Sequence, residues 1–301
     1  MTDLEYISRV LSLTNYHEDI ETIKKFGFLI LDEMKNRIDN EILGNYVNVI
    51  RNLTMIDVYD LELMDNLLSP KYLRCVYKKS KQIDLKMYEI DGYCRINLKD
   101  TYNGNHLPDV YMRKLCFLIT WVPDRVNRYK KFDRFSYDIE DVVNKLFVHS
   151  QYAHAIPYRK YADLFVCMDK ITLKTIDISK RFPPLYEGHF IEARSLTKDD
   201  PNLIIFAFVT GRTKNIVNDD RNNCENIPNG FMSQKIEQLK MLGFHPITVP
   251  ARLLKEIDQQ KAIETFIVDE ANKVFQSIGE NGTITRDANS RSNLKPDLCV
   301  V

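Results

Sequence analysis

The sequence predicts a mostly α-helical array of stacked helix pairs followed by a small α/β domain. Three observations carry this. Up to about residue 150, apolar residues recur at helical spacing almost without interruption. After His154 the texture changes to short runs rich in β-branched and aromatic residues. Between residues 229 and 250, "NGFMSQKIEQLKMLGFHPITVP" reads as an amphipathic helix, a glycine cap and a strand closed by proline.

The helical half begins with "DIETIKKFGFLILDEMKN", where Ile20, Ile23, Phe26, Phe28, Ile30, Leu31 and Met34 are expected on one broad buried face. "NYVNVIRNL" repeats the pattern with Val47, Ile50 and Leu53, and "DVYDLELMDNLL" does so again before Ser69-Pro70 breaks it. "DLKMYEIDGYCRINL" is a helix interrupted or ended near Gly92, "YNGNHLP" is a turn, and further helices run through Trp121 and over "IEDVVNKLFVHS". Antiparallel helix pairs are the natural packing for such a series.

In the second half, "YADLFVCMD", "TLKTIDI" and "NLIIFAFVT" are strands. In the helix that follows, Met232, Ile236, Leu239 and Leu242 form the inward stripe, with Lys235, Glu237, Gln238 and Lys240 on the outer side and Gly243 as cap. A long helix over about 259–276 buries Ile263, Phe266, Ile267, Val274 and Phe275. The tail beyond it is polar and is expected to be disordered.

Equal counts of 42 basic and 42 acidic residues give no net charge, so only local clustering speaks about nucleic acid. The six cysteines, at 75, 94, 116, 167, 224 and 299, form no C-x-x-C pair, which points to reduced thiols rather than a disulfide framework or zinc site. No apolar run reaches membrane-span length, and no membrane partner is expected. His149 and His154 lack metal-ligating neighbours, and no metal or cofactor is expected.

Two segments are locally basic. Residues 71–81 carry Lys71, Arg74, Lys78, Lys79 and Lys81 without an acid, and residues 124–135 carry Arg125, Arg128, Lys130, Lys131 and Arg134 against Asp124 and Asp133. Tyr72, Tyr77, Tyr129, Phe132 and Phe135 are interleaved with them. Cations for phosphates and aromatics for bases suit single-stranded RNA.

"YHEDIETIKKFGFLILDEMKNRIDNEILGNYVNVIRNLTMIDVYDLELMDNLLSP" resembles the first helical module of the FAST kinase domain-containing family, "MYEIDGYCRINLKDTYNGNHLP" its second, and "IPYRKYADLFVCMD" with "PNG" through "VP" its closing RAP domain. The resemblance implies a first helical module over 1–83, a second over 84–150, a RAP domain over 151–277 and a tail over 278–301. It also implies a mitochondrial matrix protein that binds organelle transcripts within ribonucleoprotein granules and regulates their stability, processing or translation. Its partners would be single-stranded RNA and RNA-processing or ribosomal proteins, with no DNA. The family carries a further helical region and an import signal ahead of these modules, so the chain looks like the C-terminal part of a longer protein or a shortened gene product.

The RAP domain is similar to very short PD-(D/E)XK-type nucleases. Carried over position by position, Asp163 and Asp169 remain, but Phe165, Phe208 and Thr210 stand where carboxylates belong. The resemblance therefore implies a non-catalytic domain, because a magnesium centre needs converging carboxylates. An active endoribonuclease using Asp163, Asp169 and the Asp219-Asp220 loop is the alternative, and a protein-interaction scaffold is a third reading. No G-x-G-x-x-G, H-R-D or D-F-G motif supports a protein kinase. Lys235 matches a basic position of the family's helix, and with Lys240 and Arg212 it is expected to meet phosphates.

Overall fold

The computed structural model describes residues 2–14, 19–37, 46–80, 83–108, 110–111, 134–153, 163–177, 202–211, 216–219, 224–278, 282–284 and 294–296. In chain order the helices are α1 (Thr2–Thr14), α2 (Ile20–Arg37), α3 (Val47–Thr54), α4 (Leu61–Leu68), α5 (Pro70–Ser80), α6 (Leu85–Tyr93), α7 (Arg134–Leu146), α8 (Gly230–Met241) and α9 (Gln259–Ser277). The strands are β1 (Gln151–Ala153), β2 (Asp163–Asp169), β3 (Thr175–Ile176), β4 (Leu203–Gly211), β5 (Ile216–Asp219), β6 (Cys224–Pro228), β7 (His245–Pro250), β8 (Gly282–Ile284) and β9 (Leu294–Pro296). The described chain is thus mostly helical with a small mixed sheet.

Local chemistry sets several boundaries. Asp60 accepts the Leu63 N–H at 2.9 Å and starts α4, and Asp84 accepts the Lys86 N–H at 3.0 Å at the start of α6. Beyond Gly92 the α6 ladder widens into a π-helical turn, Cys94–Leu98, which is the interruption the glycine signals. Gly243 takes φ 85°, the left-handed conformation that ends α8 before β7.

Two compact units result, and they do not divide near residue 150. The first holds α1–α6, the β5/β6 ribbon and α8; the second holds α7, β1–β4, β7 and α9. The expected assignment is corrected at four elements, since the β5/β6 ribbon, placed by sequence with the sheet domain, also belongs to the first unit. Helix α7 belongs with the sheet, and α8 belongs with the helical array.

In the first unit the inward stripe of α2 is Ile23, Ile30, Leu31 and Met34, packed in a core with Val49, Ile50, Leu53, Val58, Met64, Leu67 and Leu68. Phe26 and Phe28 depart from expectation, being 54% and 48% exposed. At ~100° per residue they lie on opposite flanks of the buried stripe rather than on it. Helix α1 is inverted. Its buried face is Ser8 and Ser12, while Tyr6, Ile7 and Val10 face outward. Small side chains let α1 sit close to α3, where Asn52 Nδ2 donates to Ser8 Oγ at 3.2 Å.

In the second unit the sheet runs β1-β2-β4-β7, with β3 also on β2. Strand β4 pairs antiparallel with β2, Leu164 opposite Phe208, and parallel with β7, Phe206 opposite His245. Leu164, Val166, Met168, Ile204, Phe206, Phe208, Ile247 and Val249 share one core with Ile139, Val142, Val143 and Phe147 and with Ile263, Ile267, Val268, Ala271 and Phe275 of α9. On the opposite face Phe165, Cys167, Ile205, Ala207 and Val209 are buried too. That two-sided burial is why β4 reads as an unbroken apolar run instead of alternating. In the tail, β8 pairs antiparallel with β9, a regular element in a segment expected to have none.

Candidate nucleic-acid interface

Helix α5 carries the clearest cationic surface among the described residues. Pro70 occupies its first turn, where a missing N–H costs nothing, and Ser69 Oγ accepts the Tyr72 N–H at 3.3 Å. Leu73 turns inward, and Lys71, Arg74 and Lys78 are exposed. Their i, i+3, i+7 spacing places all three on one side over ~10 Å of helix. None of them pairs with a carboxylate among the described residues. Lys79 lies on the same helix, but its side chain is outside the described residues.

Tyr72 does not stand out from this surface as a base-stacking platform. Its ring is half-buried, its hydroxyl has no hydrogen-bond partner among the described residues, and burial, with Asp84 and Cys75 adding to it, pushes its pKa up to about 12. The described part of the α5 surface is therefore cationic and suited to a phosphate backbone, and the Tyr77 side chain lies outside the described residues.

The second basic cluster, Arg125, Arg128, Lys130 and Lys131, lies outside the described residues, as do Lys81, Arg212, Asp220 and His154. Lys240 is exposed in the last turn of α8. Lys235 is not; it is only 7% exposed, within the first unit. Its placement as a phosphate-facing cation is corrected accordingly, since a phosphate contact needs the ammonium at the surface.

The reason is the way α8 docks. Asn229 caps the helix, its Oδ1 accepting the Met232 N–H at 3.0 Å. A Cβ on Gly230 would come within 2.0 Å of the Ser12 carbonyl oxygen, so only glycine permits this approach to α1. Gln234 Nε2 donates to the Thr54 carbonyl at 2.9 Å, and Gln238 Nε2 to Asn97 Oδ1 at 2.9 Å. The Arg51 guanidinium lies 5.3 Å from the Phe231 ring centroid. The side assigned to solvent by its polarity is thus partly an interface, with Gln238 fully buried.

A second polar constellation escaped the sequence reading. Asp91 is fully buried on α6 and accepts from Arg95 Nε at 2.8 Å, from His106 Nδ1 at 2.8 Å and from the Leu107 N–H at 3.2 Å. Arg95 also donates to the Leu107 carbonyl at 3.1 Å, and Asp65 accepts the Asn105 N–H at 2.6 Å. Two carboxylates thus clamp the "YNGNHLP" turn. The available signal was the Asp91/Arg95 spacing of four residues.

The nuclease-like positions do not converge. Asp163 and Asp169 are the first and last residues of β2, roughly 20 Å apart at the usual strand rise. Asp169 Oδ1 accepts the Ile171 and Thr172 N–H groups at 3.1 and 2.6 Å and the Thr172 hydroxyl at 2.8 Å. These bonds hold the carboxyl below its ordinary pKa and mark a turn-forming residue. Phe208 is buried with its ring 5.9 Å from Phe147, and Phe165 is buried 5.3 Å from Phe244. Thr210 Oγ1 lies 3.4 Å from Ser136 Oγ. Asp219 ends β5, in a separate two-stranded ribbon. At two of the three positions where the pattern calls for ligands, Phe165 and Phe208, these strands place core side chains.

No known protein family, characterised protein or solved structure matches the chain.

Proposed function

We propose that the chain is a non-catalytic RNA-binding factor acting on mitochondrial transcripts, shielding a single-stranded segment or presenting it to a separate processing enzyme or ribosome. The observation that carries this reading is the exposed stripe Lys71, Arg74 and Lys78 on α5, which bears no acid and no described ion pair. A stripe of this kind meets successive phosphates and releases their counterions. The separation of Asp163 from Asp169, together with the burial of Phe208, weighs against cleavage by the same chain. The family resemblance supplies the mitochondrial setting, the granule and the ribosomal or processing partners.

The test is a gel in which the purified chain meets labelled single-stranded RNA with Mg²⁺ and with chelator, across a salt series. Retention without cleavage in both conditions, falling steeply with salt, is expected. Cleavage that needs Mg²⁺ would overturn the non-catalytic reading, and salt-insensitive retention or none would overturn the phosphate-binding one. Crosslinking in cells should recover organelle transcripts in preference to cytosolic ones.

A further inference from the structure

Helix α2 carries an outward stripe that a solvated helix has no use for. Phe28 is 48% and Leu29 62% exposed, and the equally outward Lys25 and Asp32 flank them. Positions 25, 28, 29 and 32 follow the i, i+3, i+4, i+7 pattern of a helix seam, and at ~100° per residue they fall within roughly a quarter turn. The core stripe, Ile23, Ile30, Leu31 and Met34, lies on the other side of the same helix. Lys25 and Asp32 form no ion pair among the described residues. On α1, which contacts α2, Tyr6, Ile7 and Val10 are also exposed.

The charges identify the occupant. Lys25 lies three residues before Phe28, and Asp32 three residues after Leu29. A two-fold axis through the Phe28–Leu29 midpoint therefore brings each Lys25 opposite the other copy's Asp32. A parallel arrangement would instead oppose like charges. We infer that α2 is a self-association surface, packing antiparallel on α2 of a second copy of this chain, with Phe28 and Leu29 at the crossing and two reciprocal Lys25–Asp32 pairs at its ends.

The test is sedimentation analysis of the full chain through the micromolar range. The unaltered chain should dimerise. Lys25→Asp and Asp32→Lys should each weaken the dimer by at least about tenfold, because each opposes like charges twice. An equimolar mixture of those two variants, and the double variant, should restore it. Leu29→Glu should give a monomer with an unchanged circular dichroism spectrum, since the side chain is mostly exposed. A wild-type monomer throughout the range, single charge variants that dimerise like the wild type, or a mixture that fails to recover would each overturn the proposal.

Discussion

The sheet unit and the helical unit each bury an apolar core, but they differ in the polar contacts that join their elements. The sheet is apolar on both faces, with the Phe206 ring against those of Phe147, Phe208 and Phe275. In the helical unit an apolar core is joined by polar contacts between elements: Asp91 with Arg95, His106 and Leu107, Gln234 with Thr54, Gln238 with Asn97, and Asn52 with Ser8. Apolar burial is non-directional and tolerates exchange of shape, whereas a buried hydrogen bond fixes one register and is costly when half of it is missing. Both units should respond to lost volume, and the helical one to lost partners as well.

The largest effect should come from the sheet. Phe208→Ala removes a buried ring and should cost about 3–5 kcal/mol, read as a lowered denaturation midpoint. A much smaller loss would mean that this core is not tightly packed. Next, Asp91→Ala leaves Arg95 and the Leu107 N–H without their acceptor and should cost about 3 kcal/mol. Amide exchange should then rise across residues 102–108. If that segment keeps its protection, the two-carboxylate clamp is not what holds the turn.

At α8, Gly230→Ala pushes a methyl group into the Ser12 carbonyl and should destabilise by about 2–3 kcal/mol. Gln234→Leu, which keeps the bulk but abandons the Thr54 carbonyl, should cost about 1–2 kcal/mol, with thermal melts resolving the two. Asp169→Ala loses only a turn and should lower the denaturation midpoint less than Gln234→Leu does, without altering the response to Mg²⁺ in titration calorimetry. A lost magnesium signal would return Asp169 to a ligand role.

The smallest effect on stability should come from replacing Lys71, Arg74 and Lys78 with alanine, within about 0.5 kcal/mol of the parent. Its effect should fall on RNA affinity instead. The slope of log affinity against log salt should shrink by about 2, since each single-stranded phosphate contact is worth roughly 0.7. An unchanged slope would remove α5 from the interface.

What the sequence determined by itself is the set of elements whose pattern is local. The runs that become β2, β4 and β7, the long α9, the break after Gly92 and the Gly243 cap are all written in neighbouring residues, because strand and helix periodicities need no distant partner to be visible. The cationic stripe of α5 was legible for the same reason. Only the tertiary structure decided which unit α8 joins, that Lys235 and Gln238 turn inward, that Ser8 and Ser12 rather than Tyr6 and Val10 face the protein, and that Phe28 and Leu29 are left outside. It also decided that Asp91 clamps the turn at 102–108 and that Asp169 caps the turn at its own strand end. These outcomes depend on which remote groups a side chain meets. A polar residue is buried when a backbone carbonyl or a carboxylate far along the chain supplies its partner, and no local spacing records where that partner will stand.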